Sequence, residues 1–356
     1  ETTDIVTKEM YTFKDKAGRS LTLRPEYTPS VVRAIMQNRL HLKPLPLRFY
    51  FIGPMFRYDK PQKGRFRQFH QADIEVFGEK DPAVDAEIVE MADYMLKKAG
   101  VSDFDILVNS VGCSRCRPRY FADLQAAAET RARSLCPDCR QKMDANPLRI
   151  FDCKQPSCRE ISMEFPLITD YLCPECRDHF LHFQEYLNLY KVDFAVDPRL
   201  VRGLDYYTQS AFEIISSRMG AQDAILGGGR YNDLMKTYGG PDICGIGFAM
   251  GMERLLSLLP DQEEAEELVY IAFRDEQAKK KAMKLAERLR RNDIECLIEY
   301  KERSLGKQLG RADKLGVLWT IIIGEEELRR QVFQLKNMCS GEQREVTETG
   351  LLDALR

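Results

Sequence analysis

The segment Arg48–Gly78, RFYFIGPMFRYDKPQKGRFRQFHQADIEVFG, begins and ends with runs of aromatic and branched residues. Its middle, Asp59–Arg67, is polar, so the pattern predicts a strand, a long loop and a second strand. A tight hairpin needs only about two to five loop residues, so closing a hairpin does not explain the length of this loop. The loop carries the cations Lys60, Lys63, Arg65 and Arg67 against one acid, Asp59. We therefore predict that it holds a polyanion.

The second predicted strand has two chemically different faces. Alternation puts Phe69, Gln71, Asp73, Glu75 and Phe77 on one face, and His70, Ala72, Ile74 and Val76 on the other. An edge hairpin with one solvated face would give the same alternation. Here, however, the polar row has an aromatic residue at each end, which favours a binding surface.

Composition limits the class of protein. A chain of 356 residues with 44% hydrophobic residues is long enough for two or three domains with buried cores. It has no run of about 18 apolar residues, so no membrane span is predicted. Lys and Arg total 53 against 55 Asp and Glu, a net charge of -2. A nucleic acid would therefore have to bind at local basic patches.

Eight of the 11 cysteines fall in spaced pairs. The pairs are Cys113 and Cys116, Cys136 and Cys139, Cys153 and Cys158, and Cys173 and Cys176. The first four have the C-x2-C spacing of a zinc ribbon, and the last four form a second, looser set. Crossed pairing would fit as well, because spacing does not say which pairs meet, and eight unligated thiols are the other alternative. Metal-bound thiolates and unligated thiols both require a reducing compartment, so we predict a cytoplasmic protein.

Periodicity divides the chain into segments. Residues 1–112 predict mixed strands and helices, residues 113–190 a cysteine-rich insertion, and residues 191–260 a return to sheet, with a last helix from about Phe248 to Leu259. The acidic stretch Pro260–Glu267 is interpreted as a linker. Residues 268–356 begin with alternating strands and helices, which predicts a small α/β domain.

Three blocks of the sequence resemble one known family. FRYDKPQKGRFRQFHQADIEVFG, which ends at Gly78, is similar to the motif 2 hairpin of class II aminoacyl-tRNA synthetases, in the form found in the histidyl-tRNA synthetase family. LVRGLDYY at Leu200–Tyr207 and GIGFAMGMERL at Gly245–Leu255, the latter similar to motif 3, fit the same family.

The resemblance implies an α+β fold. A class II antiparallel-sheet catalytic domain (1–112 and 191–260) would be interrupted by the helical, cysteine-rich insertion (113–190) and followed by an α/β anticodon-binding domain (268–356). It implies a histidine–tRNA ligase that forms histidyl-adenylate from histidine and ATP, with Mg2+ accompanying the ATP, and then charges tRNA(His). Zinc at the cysteines is inferred from their spacing alone.

The resemblance also implies roles for the ATP-binding residues. As catalytic residues, Arg57 and Arg202 would contact the α-phosphate and Arg254 would lie on the γ-phosphate. A planar guanidinium suits a phosphorus centre where negative charge develops. Asp59, in place of the usual glutamate, would contact ATP from the loop, and Phe69 would stack on adenine.

The residues implied for histidine lie in four stretches of the chain. They are Glu26, Thr28, Gln71, Glu75, Tyr206, Tyr207 and Tyr231. Glu26 would take the α-amino group, Gln71 and Glu75 would recognise the imidazole and the amine, and the tyrosines would wall the pocket. An amide and a carboxylate suit a ring that both donates and accepts hydrogen bonds.

Two alternatives of other classes remain open at this point. One is the non-catalytic paralogue that regulates ATP phosphoribosyltransferase; Glu26, Gln71, Arg202 and Arg254 and the C-terminal domain argue against it. The other is a zinc-bearing nucleic-acid-binding module, which would leave the arginine motifs without a role. The family's motif 1 is missing before the TLRPE strand, so we expect an N-terminally incomplete chain whose complete form is a homodimer.

Overall fold

The computed structural model describes residues 5–62, 64–220, 224–260, 268–301 and 303–355. Two features of the sequence lie outside the described residues: Lys63 of the basic loop, and the linker after Pro260. The chain divides into two compact units with the boundary after Pro260. Within the described ranges, no helix is long and apolar enough to cross a membrane.

The first unit contains nine strand and eight helix segments among the residues described here; eight of the strands and all the helices are given in chain order, and the short β6 follows. They are β1 (Thr12–Lys14), β2 (Ser20–Thr22), α1 (Thr28–Gln37), β3 (Leu47–Phe56), β4 (Gln68–Phe77), α2 (Pro82–Lys98), β5 (Asp105–Ser110), α3 (Arg117–Thr130), α4 (Pro137–Ala145), α5 (Pro156–Ser162), α6 (Pro174–Leu189), β7 (Thr208–Ile215), β8 (Ala224–Arg230), α7 (Leu234–Thr237), β9 (Gly245–Gly251) and α8 (Met252–Leu256). The strand β6 is Ala195–Val196.

 An isolated antiparallel bridge pairs Gln62 with Arg65 in the loop between β3 and β4.

Seven of these strands form one sheet in the order β3-β4-β9-β8-β7-β5-β6. Every neighbouring pair is antiparallel except β5 and β6. Strands β3 and β4 pair along their whole length, from Leu47 opposite Phe77 to Phe56 opposite Gln68. The predicted strand, loop and strand are therefore confirmed, and β4 lies inside the sheet between β3 and β9.

The two faces of β4 have the predicted chemistry, and both are largely buried from Gln71 to Phe77. Ala72 and Val76 pack into the main core together with residues of α2 and α6 such as Ile88 and Phe183. On the opposite face, Gln71, Asp73 and Glu75 are only 9%, 2% and 2% exposed. A buried polar row needs partners or a ligand, so this face marks the site.

Helix α2 has clear sequence signals at both ends. Asp81 caps its start, where Oδ1 accepts a hydrogen bond from the amide of Ala83 at 2.8 Å, and Pro82 occupies the first turn. Gly100 follows its end with a positive φ of 91°. The helix buries Ile88, among others, against the sheet.

The predicted last helix of this unit is wrong in its first half. Residues Gly245–Gly251 form strand β9, and only Met252–Leu256 is helical. A Cβ at Gly247 would clash with the backbone of Ile74 and with Glu75, and one at Gly245 would clash with the ring of Tyr231. These glycines serve close packing around a central strand, a cause that local helix propensity does not reveal.

The cysteine-rich segment has a small core of its own. Tyr120, Leu124, Leu148 and Ile150 are buried there together with Cys116, Cys139, Cys158 and Cys176. Four helices, α3 to α6, lie in or border this segment. The predicted helical insertion is thus present between β5 and β6.

The second unit has a five-stranded sheet in the order β11-β10-β12-β13-β14. Its elements are β10 (Val269–Phe273), α9 (Glu276–Arg290), β11 (Cys296–Ile298), α10 (Leu305–Lys314), β12 (Trp319–Ile323), α11 (Glu325–Arg330), β13 (Val332–Asn337), β14 (Gln343–Thr347) and α12 (Glu348–Ala354). Strand β10 is parallel to β11 and β12, as strand and helix alternation predicts. Strands β13 and β14 continue the sheet in antiparallel fashion.

Candidate active site

A cavity of about 310 Å3 lies in the first unit, over the polar face of β4. It is lined by almost all of the predicted substrate residues: Glu26, Thr28, Arg57, Asp59, Phe69, Gln71, Arg202, Tyr206, Tyr207, Tyr231 and Arg254. These come from segments that are far apart in the sequence. The fold therefore brings the predicted residues to one place, with Glu75 as the exception.

Glu75 lies beneath the wall of the cavity. Its Oε1 accepts a hydrogen bond from Thr28 Oγ1 at 2.5 Å, and its Oε2 accepts one from the hydroxyl of Tyr231. Burial raises the pKa of Glu75 to about 8, although both hydrogen bonds oppose the shift. In this structure Glu75 therefore holds two lining residues and does not itself line the cavity.

Asp73 is a further acid of the site that the residue assignments omitted. It lines the cavity between Gln71 and Glu75 on the same strand face. Burial raises its pKa to about 8, the charge of Arg57 opposes the shift, and the charge of Glu26 adds to it. Its Oδ1 has no hydrogen-bond partner among the described residues. The alternation of β4 was the signal that could have identified it.

Tyrosines form one wall of the cavity. The rings of Tyr206 and Tyr207 lie 5.1 Å apart between centroids, and Tyr206 meets Tyr231 edge-on at 5.9 Å. The Tyr206 hydroxyl donates a hydrogen bond to Glu26 Oε2 at 2.9 Å. One end of the cavity thus combines three aromatic rings with the acids Glu26 and Asp73, a surface suited to a small cation.

Arginines form the other chemical feature of the cavity. Arg57 Nε donates to the carbonyl of Pro25 at 2.9 Å, and its guanidinium lies 5.2 Å from the ring centre of Phe69. Arg254 donates from Nε to the carbonyl of Gly64 at 3.0 Å and from Nη1 to that of Ala224 at 2.7 Å. These backbone contacts fix both side chains in direction.

The side chain of Arg202 is held by Glu213 on β7 and lies against Gly227 on β8. It forms an ion pair with Glu213 on β7. A Cβ at Gly227 would overlap its guanidinium, so the glycine lets Arg202 lie directly against the backbone of β8. Its Nε is buried without a hydrogen-bond partner in the described part of the chain.

The arginines repel one another in the absence of an anion. Burial lowers the pKa of Arg254, and the charges of Arg65, Arg57 and Arg202 lower it further, with only Glu213 opposing them. Four guanidinium groups close enough to perturb each other are favourable when a polyanion lies among them. The electrostatics therefore match the polyanion that the loop composition predicts.

Asp59 and Phe69 line the cavity, but each already has a partner. Asp59 pairs with Arg65 Nε at 2.8 Å and also accepts the amide of Lys60 at 2.8 Å, so it shapes the loop. Phe69 lies beside Arg57. Their assigned contacts with ATP and adenine stay predictions.

The cysteines form two nested tetrads: the first pair meets the fourth, and the second pair meets the third. Cys113, Cys116, Cys173 and Cys176 make one, and Cys136, Cys139, Cys153 and Cys158 make the other, with all four sulfurs of each within 4.8 Å. The grouping in sequence order, with the first four cysteines together, is therefore wrong. Chain path decides the pairing: α6 begins beside Cys113 and Cys116, and Cys173 N donates to Cys116 Sγ at 3.2 Å.

The sulfur geometry fits a tetrahedral metal. Cys113 Sγ lies 3.7 Å from Cys116 Sγ and 3.9 Å from Cys173 Sγ, and Cys136 Sγ lies 4.0 Å from Cys153 Sγ. Zn–S bonds of about 2.3 Å at tetrahedral angles place sulfurs about 3.8 Å apart. Burial opposes ionisation of Cys113, yet amide and thiol hydrogen bonds from Arg115, Cys116 and Cys176 lower its pKa to about 6.

Sequence reasoning missed two lining residues from the insertion, Arg149 and Asp152. Neither belongs to a recognisable motif, and nothing in the local sequence points to them. They reach the cavity only because the segment 146–153 folds back onto the loop that carries Arg202.

An antiparallel sheet with a motif 2 hairpin, and arginines converging on a cavity over it, define a class II aminoacyl-tRNA synthetase. The family model described as histidyl-tRNA synthetase matches residues 1–136 and 173–255, and the one described as anticodon binding domain matches residues 267–356. The chain belongs to the histidyl-tRNA synthetase family.

Individual relatives agree with this assignment. The histidine–tRNA ligases of Halothermothrix orenii and Thermodesulfovibrio yellowstonii are 47% and 45% identical, each over 100% of this chain and 86% of the relative. The crystal structure of apo S. aureus histidyl-tRNA synthetase superposes with a TM-score of 0.80 at 35% identity, covering 100% of this chain and 88% of that one.

Proposed function

We propose that this protein is a histidine–tRNA ligase. It joins the carboxylate of histidine to the α-phosphate of ATP, releases pyrophosphate, and transfers the histidyl group from the adenylate to tRNA(His). The observation that carries the proposal is one cavity with an acidic, tyrosine-walled end and a cluster of arginines. The first binds a small cationic amino acid, and the second binds a triphosphate.

The arginines carry the chemical step. When the histidine carboxylate attacks the α-phosphorus, negative charge builds on the phosphate oxygens and on the departing pyrophosphate. Arg57 and Arg202 are assigned to the α-phosphate and Arg254 to the γ-phosphate. Because the backbone, Glu213 and Phe69 already orient these groups, little reorganisation is needed as the charge develops. Mg2+ enters with ATP as the counter-ion of its phosphates.

Histidine is selected by the acidic end. Glu26 and Asp73 attract the α-ammonium group, and Gln71 offers both a donor and an acceptor to the imidazole. Thr28 and Tyr231 are held by Glu75, which thereby sets the shape of the pocket. A smaller or apolar amino acid would leave these buried polar groups unpaired, which costs it affinity.

Each cysteine tetrad is proposed to bind one Zn2+. Sulfur separations of 3.7–4.0 Å and the short amide-to-sulfur contact at Cys116 support four thiolate ligands per ion. Zinc would stabilise a segment whose own core is small. Thiolates of this kind need a reducing compartment, and we therefore propose a cytoplasmic location.

The second unit is proposed to bind the anticodon region of tRNA(His), and the protein to act as a homodimer. Helix α10 carries the basic residues Lys307, Arg311 and Lys314. Arg311 Nη1 pairs with Glu299 at 3.0 Å, so the lysines are the better candidates for phosphate contacts.

The regulatory-subunit alternative is not favoured. Relatives at 45–47% identity over the whole chain are histidine–tRNA ligases. A solved structure described as an ATP phosphoribosyltransferase regulatory subunit/histidyl-tRNA synthetase from Bacillus halodurans is only 19% identical, with a TM-score of 0.63, and indicates the fold alone.

The test is ATP–pyrophosphate exchange by the full chain with each amino acid in turn. Exchange that depends on histidine, followed by histidylation of tRNA(His), is the expected result. A chain that binds histidine without catalysing exchange would favour the regulatory alternative. Exchange supported better by another amino acid would overturn the specificity.

A further inference from the structure

Arg149 connects the cysteine-rich insertion to the reaction cavity. It lies in a short 3-10 helix, Pro147–Ile150, is only 7% exposed, and lines the same cavity as Arg57 and Arg202. A Cβ at Gly203 would come within 3.4 Å of its Nη1, so its guanidinium lies against the residue that follows Arg202. Arg149 therefore lies at the wall of the space that a bound ligand would occupy.

The segment that carries Arg149 is docked on the loop that carries Arg202. Asn146 Nδ2 donates to Asp205 Oδ1 at 2.7 Å, and Asn146 Oδ1 accepts the amide of Leu148 at 3.1 Å. Leu148 and Ile150 are buried in the core of the insertion, with Val201 packed against it. The contact therefore has both a polar and an apolar component.

The second cysteine tetrad brackets this segment. Cys139 precedes it and Cys153 follows directly after Asp152, and the sulfurs of both belong to the same cluster. A metal at that cluster would join the two ends of the 3-10 helix region, which limits where Arg149 can move. The family model does not cover residues 137–172, so the role of Arg149 does not follow from family membership.

We propose that Arg149 is a phosphate-binding residue of the reaction, supplied by the insertion and held in the cavity by the Cys136, Cys139, Cys153 and Cys158 cluster. Arg149 adds a guanidinium to a cavity that already collects cations, and a guanidinium recognises phosphate oxygens by paired hydrogen bonds. The phosphate belongs either to ATP and its adenylate or to the 3′ end of the tRNA that must enter the same cavity. This inference rests on the proposed function.

The test uses the full chain with Arg149→Met, which keeps the length and apolar stem of the side chain, and Arg149→Lys, which keeps its charge. Arg140→Ala, an exposed arginine on α4 of the same insertion, is the matched control. Three quantities are measured: ATP affinity by calorimetry, histidine-dependent exchange without tRNA, and single-turnover transfer from preformed adenylate to tRNA. Metal content is determined for each variant.

We expect Arg149→Met to lose about tenfold or more, the loss for one charged hydrogen bond, with Arg149→Lys intermediate and Arg140→Ala unchanged. Loss in ATP affinity and exchange identifies the phosphate of ATP, whereas loss in transfer alone identifies that of tRNA. Values within twofold of the parent in all three assays would overturn the proposal.

Two other outcomes are also decisive. If Arg149→Met and a second neutral variant, Arg149→Gln, both lose the metal, Arg149 is structural and the proposal is wrong. If the parent binds ATP but forms no adenylate, the proposed function fails, and the calorimetric comparison of Arg149→Met with the parent still decides whether Arg149 binds the phosphates of ATP.

Discussion

At the scale of single residues, two contacts hold Arg202 in the cavity. It is ion-paired with Glu213 and lies over Gly227, where any side chain would displace it. Arg202→Ala is expected to cost about 3 kcal/mol or more of transition-state stabilisation, a fall in kcat of about a hundredfold or more. Steady-state exchange kinetics check this, with Arg33→Ala on the exposed side of α1 as the control.

The fold of the Arg202→Ala variant is expected to persist, because the change removes a charge from the cavity wall and leaves the main core untouched. Circular dichroism and thermal unfolding should therefore match the parent closely. An exchange rate within twofold of the parent would show that Arg202 serves only to pair with Glu213.

Asp73 gives the free protein a pH-dependent stability. Its pKa rises on folding from the ordinary 3.8 to about 8, chiefly because of burial. The unfolded chain therefore gives up this proton at lower pH than the folded chain does, and stability falls as pH rises from about 4 to about 8. Above that range both states are ionised, and the full cost is present.

Asp73→Asn removes this titration. The apparent Tm of the variant relative to the parent should therefore increase between pH 5 and pH 8 and level off above it, as measured by thermal unfolding without substrates. Asp59→Asn, at the mouth of the same cavity, is the comparison. A difference in Tm between Asp73→Asn and the parent that does not change over that range would mean that Asp73 is ionised in the fold.

The residue scale also shows what the sequence could and could not predict. Arg57, Arg202 and Arg254 lie in the three sequence blocks that resemble the histidyl-tRNA synthetase family. The structure brings all three side chains to one cavity. The indirect position of Glu75 was not predictable, because alternation assigns a face of β4 but not the depth of a side chain. Arg149 was not predictable because its contact with Gly203 arises only from the folded path of the insertion.

At the scale of elements, β4 and α2 were predictable because their signals are local. Alternating polarity defines β4, and Asp81, Pro82 and Gly100 mark the ends of α2. The part of β9 from Phe248 to Gly251 was predicted wrongly as helix because this strand is determined by its neighbours β4 and β8, which are distant in sequence. Cysteine pairing failed for the same reason.

The nested arrangement of the two cysteine tetrads leads to a prediction about metal content. Cys153 and Cys173 belong to different tetrads in the structure, whereas pairing in sequence order would put them in the same one. If each tetrad binds one zinc ion, Cys153→Ser and Cys173→Ser should each lose one of the two ions, and the double variant should lose both. Elemental analysis of reduced protein measures this directly.

The exposed Cys339, which lies in neither tetrad, provides the control. Cys339→Ser should keep the parent's metal content. A double variant of Cys153 and Cys173 that retains one ion would contradict the nested arrangement of the tetrads. A parent protein without zinc would contradict the metal proposal itself.

At the scale of the whole molecule, the adenylation site and the second unit are separate in sequence. All the residues that line the cavity lie before Pro260, and the anticodon binding domain model begins at residue 267. The two units also have separate hydrophobic cores, one built on the seven-stranded sheet and one on the five-stranded sheet. The two steps of the reaction should therefore depend on them differently.

A chain ending at Pro260 is expected to retain histidine-dependent exchange within about threefold, because none of the described lining residues is removed and substrate contacts set the barrier to this step. The same truncation should raise the KM for tRNA(His) about tenfold or more, since the phosphate contacts proposed for the second unit would be lost. Exchange and aminoacylation are measured side by side on both chains.

Lys307→Ala with Lys314→Ala in the full chain tests the basic helix α10 alone and should reproduce part of the tRNA effect. A truncated, folded chain with parental tRNA kinetics would show that the first unit supplies tRNA binding by itself.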